Sequence, residues 1–299
     1  MSPRRADAGP NGLVVVDKPA GWTSHDVVAK SRGLLGTRKV GHAGTLDPDA
    51  TGVLLLGVGR ATKLLRFLSP LGKSYVGDVV FGAETSTLDA SGDVVATHQM
   101  NGLTPRAVAD AAASFVGEIH QIPPMVSAVK VDGKRLHELA RQGIEVERTP
   151  RPVTIHSLEV LSGPVGYPPV ATIDVHCSSG TYIRTLAADL GHALGGGAHL
   201  NNLRRTSVGP FTLEDAVPLE QVGPEAVRPM AEAVRHLAIL PADADMAEAV
   251  GVGKVLDRSA IGAEGEGPWA VTDAEGELLA VYEKFRGDTV KPAVVVAAR

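Results

Sequence analysis

The chain has 299 residues, of which 44% are hydrophobic, 21% charged and only 4% aromatic, the balance of a folded protein and not of a disordered tail. A single cysteine, Cys177, excludes an intramolecular disulfide and fits a reducing compartment, and no apolar run reaches the roughly 20 residues that a membrane-spanning helix needs. The formal net charge of −5 argues against a polyanionic partner only until it is divided: residues 1–210 carry 21 Lys and Arg against 18 Asp and Glu, net +3, whereas residues 211–299 carry 8 against 16, net −8.

The polar N-terminal tail MSPRRADAGP has charges with no apolar stretch behind them, so no export signal is expected and the cytoplasm is the expected location. Residues 12–17 predict a short buried strand, closed by the turn Lys18-Pro19-Ala20-Gly21. Ser24 reads as the N-cap of a helix over 26–35 that ends before Gly36. The glycine-rich stretch GHAGTLDPDATGVLLLGVGRATK (41–63) predicts a loop, then a strand over 53–58 and a helix over 61–68. Alternation predicts a strand over 73–82, and residues 88–93 form a turn. Thr104 and Pro105 open a helix to 115, a second helix over 134–142 stops at Gly143, and strands follow at 153–161 and 170–177. A helix over 182–194 carries Ile183, Leu186, Ala187 and Leu190 on one stripe. The proline-rich stretch 210–241, with a helical piece over 225–237, marks a domain boundary; strands at 270–272, 277–284 and 294–297 form a small β-rich module beyond it. Strands and helices do not alternate regularly. The expected class is therefore α+β with a mixed, mainly antiparallel sheet.

Residues 30–73 hold eight basic side chains against Asp47 and Asp49, a net of +6. Familiar motifs fail one by one. Gly57-Val58-Gly59 lacks the third glycine of a dinucleotide fingerprint, and GxxxxGK[ST] does not occur. Ser127-Ala128-Val129-Lys130 matches a serine–lysine acyl-transfer tetrad without its companion motifs. Cys177 follows the alternation of Ile173 and Val175 and reads as a buried cysteine, not a nucleophile. Ten histidines without HExxH or CxxC give no metal motif, and no metal or cofactor is expected. Asp47 remains. Gly41, Gly44 and Gly52 permit a tight backbone around it, and Pro48 biases it to an extended conformation that presents the carboxylate. A carboxylate among cations can serve as nucleophile or base. The same Asp-Pro pair also starts ordinary turns, so on the residues alone both readings stand.

Residues 41–63 resemble the catalytic motif of the TruB family of pseudouridine synthases, which isomerise uridine 55 in the T-loop of tRNA. The resemblance continues, in family order, through Val14-Val15-Val16-Asp17-Lys18-Pro19, KSYVGDVVFGAETSTLDASGD (73–93), IPPMVSAVKVDGKRLHELARQGIEVERTPRPV (122–153), CSSGTYIRTLAADLG (177–191) and Leu203-Arg204-Arg205. It covers roughly residues 12–210. It implies the pseudouridine synthase catalytic fold over 1–238, with a thumb-like RNA-binding insertion at 124–152, and a small PUA-like domain over 239–299. By resemblance Asp47 is the catalytic aspartate, Tyr75 the tyrosine that stacks on the target base, and Arg184 the arginine paired with the catalytic aspartate. His42 corresponds to the histidine that fills the space of the flipped base, Leu203 to a leucine lining the uracil pocket, and Lys18 with Pro19 to a motif beneath the active site. Lys130 and the other basic residues of 124–152, net +2, fit phosphate contact. The implied partner is the T-arm of tRNA, bound by a monomer, with the nucleotide flipped out of its stack. Two other readings are a tRNA-binding or remodelling protein without chemistry and an acyl-transfer enzyme on Ser127 and Lys130. The acidity of 211–299 departs from what an RNA-binding C-terminal domain would carry.

Overall fold

A computed structural model of the chain describes residues 9–127, 130–131, 133–136, 139, 142–144 and 146–297. In chain order come β1 (Gly12–Lys18), α1 (Ser24–Leu34), β2 (Val40–Ala43), β3 (Thr51–Val58), α2 (Leu65–Leu68), β4 (Lys73–Phe81), β5 (Ala83–Thr85), β6 (Val94–Thr97), α3 (Pro105–Ala113) and β7 (Gly117–Gln121). There follow β8 (Lys130–Val131), β9 (Lys134–Arg135), β10 (Arg151–Val165), β11 (Val170–Cys177), α4 (Ile183–Ala193), β12 (Ala198–Val208), β13 (Phe211–Thr212) and β14 (Val217–Pro218). The last are β15 (Ala238–Pro241), α5 (Ala244–Gly251), β16 (Leu256–Asp257), β17 (Trp269–Thr272), β18 (Leu278–Lys284) and β19 (Thr289–Val295). The class is α+β and the strand pairs are mostly antiparallel, as the pattern predicts. Contacts divide the chain into two compact units, residues 1–71 with 207–299 and residues 72–206.

In the first unit β1 is buried on both faces because hydrophobic clusters lie on either side of it. Leu13 and Val15 join Val53 and Leu55 of β3 on one side; Val14 and Val16 join Leu54 and Leu56 on the other, under Val27 and Val28 of α1. The β1 and β3 strands are antiparallel, with Val14 opposite Leu56, and β2 pairs the same strand with His42 opposite Leu56. The cap of α1 is Thr23, not Ser24: its hydroxyl accepts from Asp26 N at 3.1 Å, and the Asp26 carboxylate accepts from Thr23 N at 2.9 Å. The expected helix over 61–68 is a 3₁₀ stretch, Gly59–Leu64, before the single turn of α2. The helical piece expected at 225–237 is two separate 3₁₀ turns, Pro224–Ala226 and Glu232–Val234, with Pro229 between them. Beside them Asp215 accepts from Arg228 and Arg235 guanidinium nitrogens, both at 2.7 Å, and from Thr212 N at 3.0 Å.

The C-terminal segment forms a sheet in the order β15-β17-β18-β19-β16, with β15 parallel to β17. Trp269, Val271 and Tyr282 turn into its own core with Val250 of α5, whereas Ala270, Leu278 and Val281 join the cluster that holds Leu13 and Val15. Strand alternation thus builds two cores from one sheet.

In the second unit the sheet runs β12-β4-β11-β10-β7. Tyr75 of β4 lies opposite Val175 of β11, and Cys177 opposite Lys73. Cys177 is fully buried, and burial pushes its thiol up to about 11, so it is the inert core cysteine the alternation predicts. Of the helix expected over 134–142, Lys134 and Arg135 instead pair with Lys130 and Val131 as a hairpin, and Leu136 and Leu139 are helical. Part of that helix lies outside the described residues. Glu84 of β5 joins His98 at 2.7 Å and His192 of α4 at 3.4 Å. Burial alone would raise the Glu84 carboxyl, but the bonds to the two imidazoles outweigh it and hold the group below its ordinary value. Gly197 belongs to this contact. A Cβ on Gly197 would lie 2.4 Å from Glu84 Cγ and 2.8 Å from His98 Cδ2.

Candidate active site

Asp47 stands in the loop between β2 and β3, half-buried, in a turn closed by Ala50 N bonding Asp47 O at 3.2 Å. Gly44 and Gly52 flank this loop with φ of +84° and +101°, conformations that other residues adopt only under strain. Both chain neighbours of Asp47 are tied down. Leu46 is buried, and the Ser24 hydroxyl accepts from Leu46 N at 2.9 Å while donating to Leu46 O at 3.2 Å. On the other side Pro48 O accepts from Gly21 N at 3.0 Å and from Lys18 Nζ at 2.8 Å.

Lys18 is 0% exposed, and its ammonium also donates to Pro19 O at 2.9 Å and Trp22 O at 2.6 Å. A buried ammonium turned onto three backbone carbonyls tethers a loop. The ammonium thereby ties the turn that follows β1 to the residue after Asp47. His42, on β2, has its ring 5.2 Å from that of His25 in the first turn of α1, at an interplanar angle of 82°. Several cations of the net +6 window spend donors on the protein itself: Arg32 on Val40 O at 3.1 Å, Arg60 on Val296 O at 2.6 Å and Lys63 on Val295 O at 3.3 Å.

The second unit gathers the other candidates into two groups. Tyr75 is buried on β4, and Gly77, two residues on and facing the same way, leaves room for Leu203: a Cβ on Gly77 would lie 3.3 Å from Leu203 Cδ1 and 3.2 Å from Leu200 Cδ1. At Asn202, where φ is +50°, the burial phase of β12 shifts, so that Leu203 and Arg205 turn inward. Arg205 is 0% exposed and hydrogen-bonded to Tyr75. Burial lowers its affinity for the proton while Tyr75 works the other way. Lys73, on the same face of β4, is pushed down to about 8 by burial, with the Arg205 charge adding to the effect.

Arg184 forms the second group. An arginine at a helix start reads as a surface residue, yet here it is 4% exposed. It donates to Thr87 O at 3.0 Å and Val126 O at 2.8 Å, and lies 3.5 Å from Asp89 Oδ2. The Asp89 carboxylate also accepts from the hydroxyl of Thr87 at 2.6 Å and from Ser91 N at 3.1 Å, and its loop bonds β12 through Leu200 N to Leu88 O and Ala90 N to Leu200 O. Gln121 fixes the start of α4, its amide bonding Tyr182 N at 2.9 Å and Tyr182 O at 3.2 Å. Lys130 lies on β8 and its side chain is outside the described residues.

Sequence reasoning missed Asp89 and Thr87, which hold Arg184, and Gln121, which holds Tyr182 beside it, and gave Arg205 no role. The signal for Arg205 was a basic residue two positions from Leu203 in an alternating strand. For Asp89 none existed beyond a turn composition.

Two family models match the chain: TruB family pseudouridylate synthase (N-terminal domain) over residues 32–183, and tRNA pseudouridylate synthase B C-terminal domain over residues 184–253. A tRNA pseudouridine synthase B of Rhodococcus jostii is 49% identical over 290 residues, covering 95% of this chain and 93% of the relative. Another, of an Arthrobacter species, is 46% identical, covering 96% and 97%. Among solved structures, that of a Cbf5-Nop10-Gar1 complex matches with a TM-score of 0.73 at 30% identity, covering 95% of this chain and 84% of the other.

Proposed function

The chain belongs to the TruB family of pseudouridylate synthases and is an enzyme that isomerises uridine to pseudouridine in tRNA; from that premise we propose that its target is uridine 55 of the T-loop and that Asp47 is the catalytic carboxylate. The reacting atoms of a stacked base are out of reach, so the nucleotide is flipped before chemistry. The C–N glycosidic bond breaks, the uracil turns while enclosed, and C5 joins C1′. C5 gives up its proton to solvent and N1 gains one, so substrate and product have the same composition. A carboxylate can add to the sugar or to the base, or assist proton removal at C2′.

The observation that carries this reading is the restraint on Asp47, whose neighbours on both sides are tied to buried groups, Leu46 to Ser24 and Pro48 to Lys18. A group held so closely loses little freedom when it reacts. The resemblance assigns stacking on the uracil to Tyr75, pairing with the catalytic carboxylate to Arg184, a pocket wall to Leu203 and occupation of the vacated stack to His42. Phosphate contact falls to Lys130 and the thumb-like insertion 124–152. The same reading divides the chain into a catalytic region, 1–238, and a PUA-like module, 239–299, and has it act as a cytoplasmic monomer.

Tritium at uracil C5 of a T-arm stem-loop tests the proposal. The protein should release it to water, and Asp47→Ala should release none while still binding the RNA. Release surviving in Asp47→Ala overturns the role of Asp47. Absence of release by either protein, with RNA remodelled by both, points to the non-catalytic alternative.

A further inference from the structure

We propose that His25 is a positioning residue for RNA binding, holding the His42 ring in the orientation that receives the T-loop. This rests on reading His42 as the group that occupies the place of the flipped base. The two imidazole centroids are 5.2 Å apart and their planes are 82° from parallel, the edge-to-face arrangement that aromatic rings favour. His25 is itself firmly placed. It is the second residue of α1, between Ser24, whose hydroxyl binds both backbone groups of Leu46, and Asp26, whose carboxylate closes the capping box on Thr23. The first turn of α1 thus braces two points at once, the Asp47 loop through Ser24 and the His42 ring through His25.

His42 sits on a strand of only four residues, Val40–Ala43, between the exposed N-terminal turn of α1 and β3. A ring that must enter a gap in stacked bases binds more tightly if it is already oriented, because the rotamer freedom is then lost before the RNA arrives. The imidazole of His25 is exposed, so its ring can be exchanged with little disturbance to the core.

The test uses His25→Ala, His25→Phe, His25→Asn and His42→Ala on the T-arm stem-loop, with thermal midpoints and the NMR resonances of the His42 ring followed alongside. His25→Ala should raise KM about two- to tenfold with kcat and thermal midpoint unchanged. Phenylalanine should restore KM and asparagine should not, and the His42 ring signal should shift in the alanine variant. In a His42→Ala background His25→Ala should add nothing. Four results overturn the proposal: wild-type KM for His25→Ala, rescue by asparagine as complete as by phenylalanine, multiplying losses in the double variant, or a His42 resonance that does not move. An impaired His42→Ala beside an unimpaired His25→Ala removes this proposal alone, whereas His42→Ala at wild-type KM removes the reading of His42 with it.

Discussion

Lys18→Met separates a tether from a substrate contact. Methionine fills nearly the same volume but withdraws the ammonium from the carbonyls of Pro19, Trp22 and Pro48. The Pro48 carbonyl keeps the Gly21 amide, so of the three the Pro19 and Trp22 carbonyls are the two left short of a donor. At about 1–3 kcal/mol for each buried acceptor left without a donor, the loss is about 2–6 kcal/mol. Relief of the buried charge works against this, leaving a smaller net loss of about 1–4 kcal/mol. The functional effect follows from geometry. Pro48 is the residue next to Asp47, and a shift of about 1 Å in a reacting group is worth roughly 100-fold in rate. Urea unfolding followed by circular dichroism reads the first effect. Single-turnover tritium release with enzyme in excess reads the second, with RNA affinity measured in parallel. The expected outcome is a lower urea midpoint, a rate reduced about 100-fold and an affinity close to wild type. A destabilised variant that reacts at full rate would show that Lys18 serves stability alone, and a loss confined to RNA affinity would show that it meets the substrate.

Asp215 carries an acid-dependent share of stability. Burial tends to raise its carboxyl, but the bonds from Arg235, Thr212 N and Arg228 win and hold it down to about 2, against 3.8 for the free group. A depressed carboxyl stabilises the fold fully above the unfolded value, and the contribution disappears as pH falls from about 4 to 2; its size is about 2 kcal/mol. Asp215→Asn should therefore lower the denaturant midpoint at pH 7 and flatten the acid limb of a stability–pH curve, and an unchanged curve refutes the assignment. Gly197→Ala should cost about 1–3 kcal/mol by driving its methyl into the Glu84 side chain, with the His98 and His192 contacts disrupted. Glu84→Ala in the same chain should return part of that loss, and a neutral Gly197→Ala would show that the site relaxes freely.

The strands at 12–18 and 51–58 were legible because all their residues but Asp17 and Thr51 are buried on one side or the other, and such runs leave few alternatives. The four-residue β2 was not legible: Val-Gly-His-Ala has no period, and its strand character comes from pairing with β3. Thr23 and Ser24 both have the chemistry of an N-cap. What decides between them is Leu46, which claims the Ser24 hydroxyl from 22 residues away. The break at 229 is of another kind: the residues around it keep a helical pattern, and Pro229, which has no amide to donate, interrupts it.

The site divides along the same line. Asp47 was visible because glycine, proline and carboxylate lie close together in the chain, whereas the Ser24 and Lys18 bonds that hold its loop were not. Arg184 and Arg205 were visible as letters of a motif, but not as buried cations, because the groups that surround them come from 58 and 97 residues away for Arg184 and from the facing strand for Arg205. Formal charge counts Lys18, Lys73, Arg184 and Arg205 like any surface lysine or arginine, yet all four are buried, against a large desolvation cost. Lys18 and Arg184 meet that cost with backbone carbonyls. Lys73 meets it by holding its proton less tightly, and Arg205 shares its buried charge with the Tyr75 hydroxyl. Every one of them belongs to a block that resembles the family, so the electrostatics of this protein turn on which cations are desolvated more than on the sign of its net charge.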